Sequence, residues 1–168
     1  VAKFKRNPHV QYVEPNYVLH AVETTPNDTY YASYLWGLKN TGQTVGSQKG
    51  TADADIDASD AWDITTGSTD YVVGVIDTGI AYSHADLSAN AWSAPTSFTV
   101  TVGGKTITCA AGTHGYNAVK NTCDPADDHN HGSHVSGTIG AKGNNGAGVV
   151  GVNWTTRIMG LKFLDSTG

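Results

Sequence analysis

Two side chains in this 168-residue chain stand where acid–base chemistry would need them. Asp77 closes the apolar run Val72-Val73-Gly74-Val75-Ile76 and is followed at once by Thr78-Gly79, a sharp break after a strand-like stretch. His131 opens Gly132-Ser133-His134-Val135-Ser136-Gly137-Thr138-Ile139-Gly140, whose small residues recur at helical spacing and would let a helix lie very close to a sheet. A carboxylate that accepts a hydrogen bond from an imidazole fixes its tautomer and stabilises the cation formed during proton transfer. Taken alone, Asp77 reads as a turn residue and His131 as a surface histidine. Placed at a strand's carboxyl end and a helix's start, they sit where open parallel sheets gather function. His129, His131 and His134 also spell His-x-His-x-x-His, a spacing that a metal ion could use.

The elements that must hold these groups follow from the pattern around them. The run ending at Asp77 is continuous rather than alternating, which predicts a parallel strand buried on both faces. The runs 149–154 and 157–165 read as two further strands, and the glycines between 143 and 148 end the helix begun at His131. Ser59 is placed to cap a short helix that stops at Gly67. Residues 93–128 form a long irregular insertion with a hairpin turning at Gly103-Gly104, and residues 40–53 a loop. Upstream, 10–20 is strand-like around Pro15, and 23–30 is a polar linker. Strand, helix and strand in alternation make the domain α/β.

Composition narrows the function classes. Apolar residues at 39% and charged ones at 15% argue against intrinsic disorder. The length fits one domain with a real core. No uncharged apolar run is long enough to cross a bilayer, so no membrane association is expected. The net charge is −5 and the basic residues are few and scattered, which makes nucleic acid an unexpected partner. Thirteen Asp against two Glu suit loops, caps and hard-cation sites. The chain does not start with Met, has no visible signal peptide, and reads at both ends as cut from something longer. Cys109 and Cys123 lack metal-ligand spacing. In a secreted protein they would pair, closing a loop of about 15 residues worth about 3 kcal/mol by chain entropy; in a cytosolic one they would be buried thiols.

The longer strings resemble a known family. Val75-Ile76-Asp77-Thr78-Gly79-Ile80 with His84-Ala85-Asp86-Leu87, then His131-Gly132-Ser133-His134-Val135-Ser136-Gly137-Thr138-Ile139, resembles the subtilisin-like serine proteases in content and order. That resemblance implies a three-layer α/β fold with a mostly parallel sheet, incomplete in this chain. Residues 1–22, with Tyr12-Val13-Glu14-Pro15-Asn16-Tyr17-Val18, look like the end of the family's inhibitory prosegment, and 23–168 like the N-terminal half of its catalytic domain. Asp77 is then the orienting acid and His131 the general base that later serves as general acid. Ser133 and Ser136 fall inside the histidine block, and no Gly-Thr-Ser-Met-Ala-like string occurs, so the nucleophile is expected outside these residues.

The same resemblance implies a secreted endopeptidase, expected to be monomeric, which takes extended polypeptide substrates and binds its own prosegment until cleavage near 21–24. It also implies a structural calcium ion. Asp28 and Asp86 would supply carboxylates, Asn145 its side chain with Asn144 as the other candidate, and Gly143, Ala147 and Val149 carbonyls; a plain Gly/Asn turn is the alternative. Asp124, Asp127 and Asp128 could form a second, weaker cation site. Two other functions compete with the protease. The histidine triplet is similar to the His-x-His-x-Asp-His set of metallo-β-lactamase-like zinc hydrolases, with Ser133 where their Asp stands. A chain without a nucleophile could also be a non-enzymatic protease-binding fragment.

Overall fold

The computed structural model describes residues 7–14 and 23–168. Three helices, α1 (Tyr31–Tyr34), α2 (Ala58–Trp62) and α3 (His131–Gly140), alternate with seven strands among those residues. The strands are β1 (Thr44–Val45), β2 (Gln48–Lys49), β3 (Gly67–Asp77), β4 (Phe98–Val102), β5 (Lys105–Cys109), β6 (Gly115–Asn117) and β7 (Thr155–Lys162). The strand-like stretch around Pro15 lies largely outside the described residues, and 7–14 holds a turn but no strand.

The central sheet is parallel, in the order β3-β7-β6, with Asp77 opposite Lys162 and Asn117 opposite the same lysine. One helix, α3, packs on it, so the expected α/β architecture is present. Beneath α3, Val75, Ile80, Leu87 and Ile158 form one buried cluster, with Val135 and Ile139 of the helix against it. A second cluster joins Tyr31, Leu38, Ala58 and Trp62 to Val150 and Trp154, and the Trp62 indole N–H donates to the Val152 carbonyl at 2.8 Å. Buried Asn90 stitches the two halves: its amide donates to the Gly140 carbonyl at 2.9 Å and the Trp154 carbonyl at 3.0 Å.

Five expectations change. Within these 168 residues β3 is covered on one face, by α3; Val75 and Asp77 point under it while Ile76 on the other side is 65% exposed. Residues 149–154 are not a strand, since their N–H groups go elsewhere. Gly151, Val152 and Asn153 donate to the carbonyls of Ala141, Thr138 and Ile139, satisfying the end of α3. Ser59 lies inside α2 rather than capping it, because Asp57 takes the left-handed cap position at φ 52°. The loop 40–53 contains the small β1–β2 ladder, and the insertion contributes β6 to the main sheet beside the expected β4–β5 hairpin.

Cys109 and Cys123 are bonded to each other. The bridge ties the end of β5 to the segment that leads into α3. Replacing both cysteines by serine is expected to cost about 3 kcal/mol of unfolding free energy, read by urea denaturation. An unchanged midpoint would mean that the insertion is held by its other contacts.

Candidate active site

Asp77 ends β3, and the chain turns over Thr78-Gly79 directly beneath the first residues of α3. The approach is close enough to exclude a side chain. A Cβ built on Gly132 would lie 2.2 Å from the Gly79 carbonyl oxygen and 3.1 Å from the Asp77 Cβ, so only glycine fits after His131. Across this contact the His131 Nδ1 is 2.8 Å from each Asp77 carboxylate oxygen. A carboxylate at Nδ1 keeps the proton there, which leaves Nε2 as the basic nitrogen. The Asp77 side chain is 12% exposed and that of His131 61% exposed, so the acid is sheltered and the base open.

Charge at Asp77 is stabilised in place. Burial pushes its pKa up, but the hydrogen bonds from His131 and from the Thr78 N–H at 2.7 Å outweigh it and hold the carboxyl below its ordinary value. Asp127 is held lower still: burial opposes the charge, while donors from Ser133, His129 and Thr78 more than offset it. Carboxylates depressed in this way stabilise the fold fully above their unfolded value, about pH 4, and lose that contribution as acid titrates them below it.

Around the pair the other sequence candidates separate. Ser133 Oγ donates to Asp127 and accepts from the Ala81 N–H at 2.9 Å, and Ser136 is fully buried, so neither is poised as a nucleophile. Among the described residues, no three His, Cys, Asp or Glu side chains form a set that could hold a metal ion, which removes the support for the histidine-triplet reading. The acidic triplet also disperses. Asp124 accepts from the Tyr82 hydroxyl at 3.1 Å, Asp127 serves the start of α3, and Asp128 accepts from the Lys162 Nζ at 2.6 Å. Three residues that the sequence did not single out emerge instead: Thr78, Asp127 as an anchor, and buried Lys162, which also donates to the Thr78 carbonyl.

Among the expected cation ligands Asp86 contacts Asn145 and Val149, and Asp28 contacts the neighbouring Asn144. Asp86 Oδ1 accepts from the Asn145 amide at 3.0 Å, and Asp86 Oδ2 accepts from the Val149 N–H at 3.0 Å. Asp28 Oδ2 accepts from the Asn144 N–H at 2.7 Å, whereas its Oδ1 is buried with no hydrogen-bond partner. Gly148, at φ 50°, lies so near Asp86 that a Cβ there would come within 1.9 Å of Oδ2. Gly143 and Ala147 lie within the same 143–149 loop. The orphaned Asp28 oxygen beside this loop suits a hard cation, while Asn145 turns its NH₂ to Asp86 and its oxygen to the Ala147 N–H.

Comparison with known proteins agrees with this geometry. Residues 68–168 match the Peptidase_S8 subtilase family. The whole chain is 38% identical to a thermophilic serine proteinase of Bacillus sp. (strain AK1), of which it spans 33%. It is 36% identical to an extracellular protease of Xanthomonas campestris over 96% of the chain and 27% of that protein. The solved serine protease of Aeromonas sobria superposes on 79% of the chain with a TM-score of 0.61 at 26% identity, using 20% of its own length. The chain belongs to the subtilase family. It spans about a third of the curated relative's length.

The Gly132 contact gives a direct test. Gly132→Ala should push α3 off the Asp77 turn and lengthen the His131–Asp77 bond, and on the peptidase reading proposed below should lower turnover of the complete protein by about a hundredfold, as misplacement of about 1 Å does. Wild-type turnover in that variant would show that the helix can retreat without consequence.

Proposed function

We propose that residues 23–168 carry the acid–base half of a secreted serine endopeptidase that cleaves extended polypeptides by an Asp-His-Ser acyl-enzyme route. The single observation that carries the reading is the Asp77–His131 hydrogen bond on an exposed imidazole. With Asp77 fixing the ring, Nε2 of His131 takes the proton from a serine hydroxyl and returns it to the leaving amine. The serine comes from sequence beyond these 168 residues, so the chain alone is inert. Substrate adds as a strand beside the segment that follows residue 168, where main-chain pairing gives affinity with little side-chain selectivity. Residues 1–22 occupy that cleft as a prosegment until cleavage near 21–24. Secretion is supported by the cystine and by a relative named as extracellular.

The complete protein should react covalently with a fluorophosphonate probe and hydrolyse casein, and residues 1–168 should do neither. Asp77→Asn in the complete protein should lower kcat about 10⁴-fold by presenting the wrong imidazole tautomer. A labelled serine within 1–168, or full activity in Asp77→Asn, would overturn the assignment.

A calcium ion held by Asp28, Asp86, Asn145 and the carbonyls of Gly143, Ala147 and Val149 is part of the same proposal. Bound there, it would lock the loop that follows α3 and take no part in the chemistry. A ligand at a hundred times its Kd stabilises by about 2.7 kcal/mol, so a calcium chelator should lower the melting temperature of the wild type and leave Asp86→Ala unmoved. A melting curve indifferent to the chelator would sink the site.

A further inference from the structure

The acceptor that gathers most donors in the described structure is outside the Asp77–His131 pair. Asp127 Oδ1 accepts from the Thr78 hydroxyl at 2.8 Å, from the His129 N–H at 3.0 Å and from the Asn130 N–H at 3.1 Å. Its Oδ2 accepts from the Ser133 N–H at 2.9 Å and from the Ser133 hydroxyl. Thr78 Oγ1 in turn accepts from the Gly132 N–H at 2.9 Å. Asp127 and Thr78 thus hold the two residues after His131 to the residue after Asp77. The His131–Asp77 bond is one link in a closed ring, and the other links bypass the imidazole.

We infer that Asp127 is a positioning residue of this site: with Thr78 it clamps the start of α3 onto the β3 turn and sets the distance between Asp77 and His131. The inference rests on the peptidase reading for its effect on rate, and on geometry alone for its effect on the pair. Asn130, the residue before His131, sits at φ 84° and makes no side-chain cap to α3. Asp127 supplies the missing cap from outside the helix, where a negative charge is favoured, and its bond to the Asn130 N–H holds the left-handed turn. An amide cannot replace it. Asn at this position would turn an NH₂ toward donors already committed to it, leaving N–H facing N–H at the helix start.

The experiment uses the complete protein and compares wild type with Asp127→Asn, Thr78→Val and Thr78→Ser. The readouts are kcat and KM per probe-titrated site, and the downfield proton resonance of the His131 Nδ1–H. Asp127→Asn and Thr78→Val should each lower kcat by about a hundredfold with KM within about twofold, and broaden or shift that proton. Thr78→Ser, which keeps the hydroxyl, should restore both. An unmoved proton and wild-type kcat in Asp127→Asn would overturn the clamp. So would equal behaviour of Thr78→Val and Thr78→Ser, which decides the matter even if Asp127→Asn does not fold. If the wild type neither labels nor cleaves, the peptidase reading fails, and the resonance comparison still judges the clamp by itself.

Discussion

Everything at this site depends on a helix touching a turn with nothing between them. α3 meets the Thr78-Gly79 backbone through the bare face of Gly132, and that contact brings an imidazole from one element to a carboxylate on another. A closer approach is sterically impossible, and a looser one breaks a bond whose length must stay within a few tenths of an ångström to be useful. The surrounding polar groups solve a problem that van der Waals contact leaves open. Packing sets how near the helix can come, while directional hydrogen bonds through Thr78 set where along the turn it stops.

Thr78 is held from both sides of its own backbone. Its hydroxyl serves α3 and Asp127, and its carbonyl receives the Nζ of Lys162. An isolated ammonium buried to this extent would cost several kcal/mol, so Lys162 is tolerable only with its partners, the Thr78 carbonyl and the Asp128 carboxylate. Its position at the end of the central strand β7, in register with both Asp77 and Asn117, lets it join the acid's turn to the segment before α3. Adjacent aspartates therefore do different work. Asp127 fixes the helix and Asp128 neutralises the strand's buried charge.

The strand that ends at Asp77 and the helix that begins at His131 were legible in the sequence because each sits in a contiguous string whose pattern announces its element, whereas the pairing of the two residues was implied only by the family resemblance. The apolar run before Asp77 and the small-residue run after His131 read directly as strand and close-packing helix. The anchor was not legible, since the donor that makes it a clamp, the Thr78 hydroxyl, lies 49 residues away, and the carboxylate stands in an Asp-rich loop that resembles a cation site. Residues 149–154 misled for a related reason. Their apolar residues suit a strand, but their N–H groups answer the unsatisfied carbonyls at the end of α3. The apolar run 72–76 shows what a strand could bury; which face is covered depends on what packs there. β6 is three residues long, too short to leave a pattern.

α3 is consequently fixed at both ends by different means. Its start is tied to the β3 turn through Asp127 and Thr78, and its end is tied through Asn90 and the 151–153 N–H groups to the strand that follows. The side chains that orient His131 all belong to residues 77–162, and none of them waits on a serine for its geometry. In the proposed role of general base, an imidazole held this way would already have lost the orientational freedom that an unpositioned base must give up. On the proposed acyl-enzyme route the nucleophile would then have only to be brought to Nε2, with the Asp77 carboxylate already held charged beside the ring.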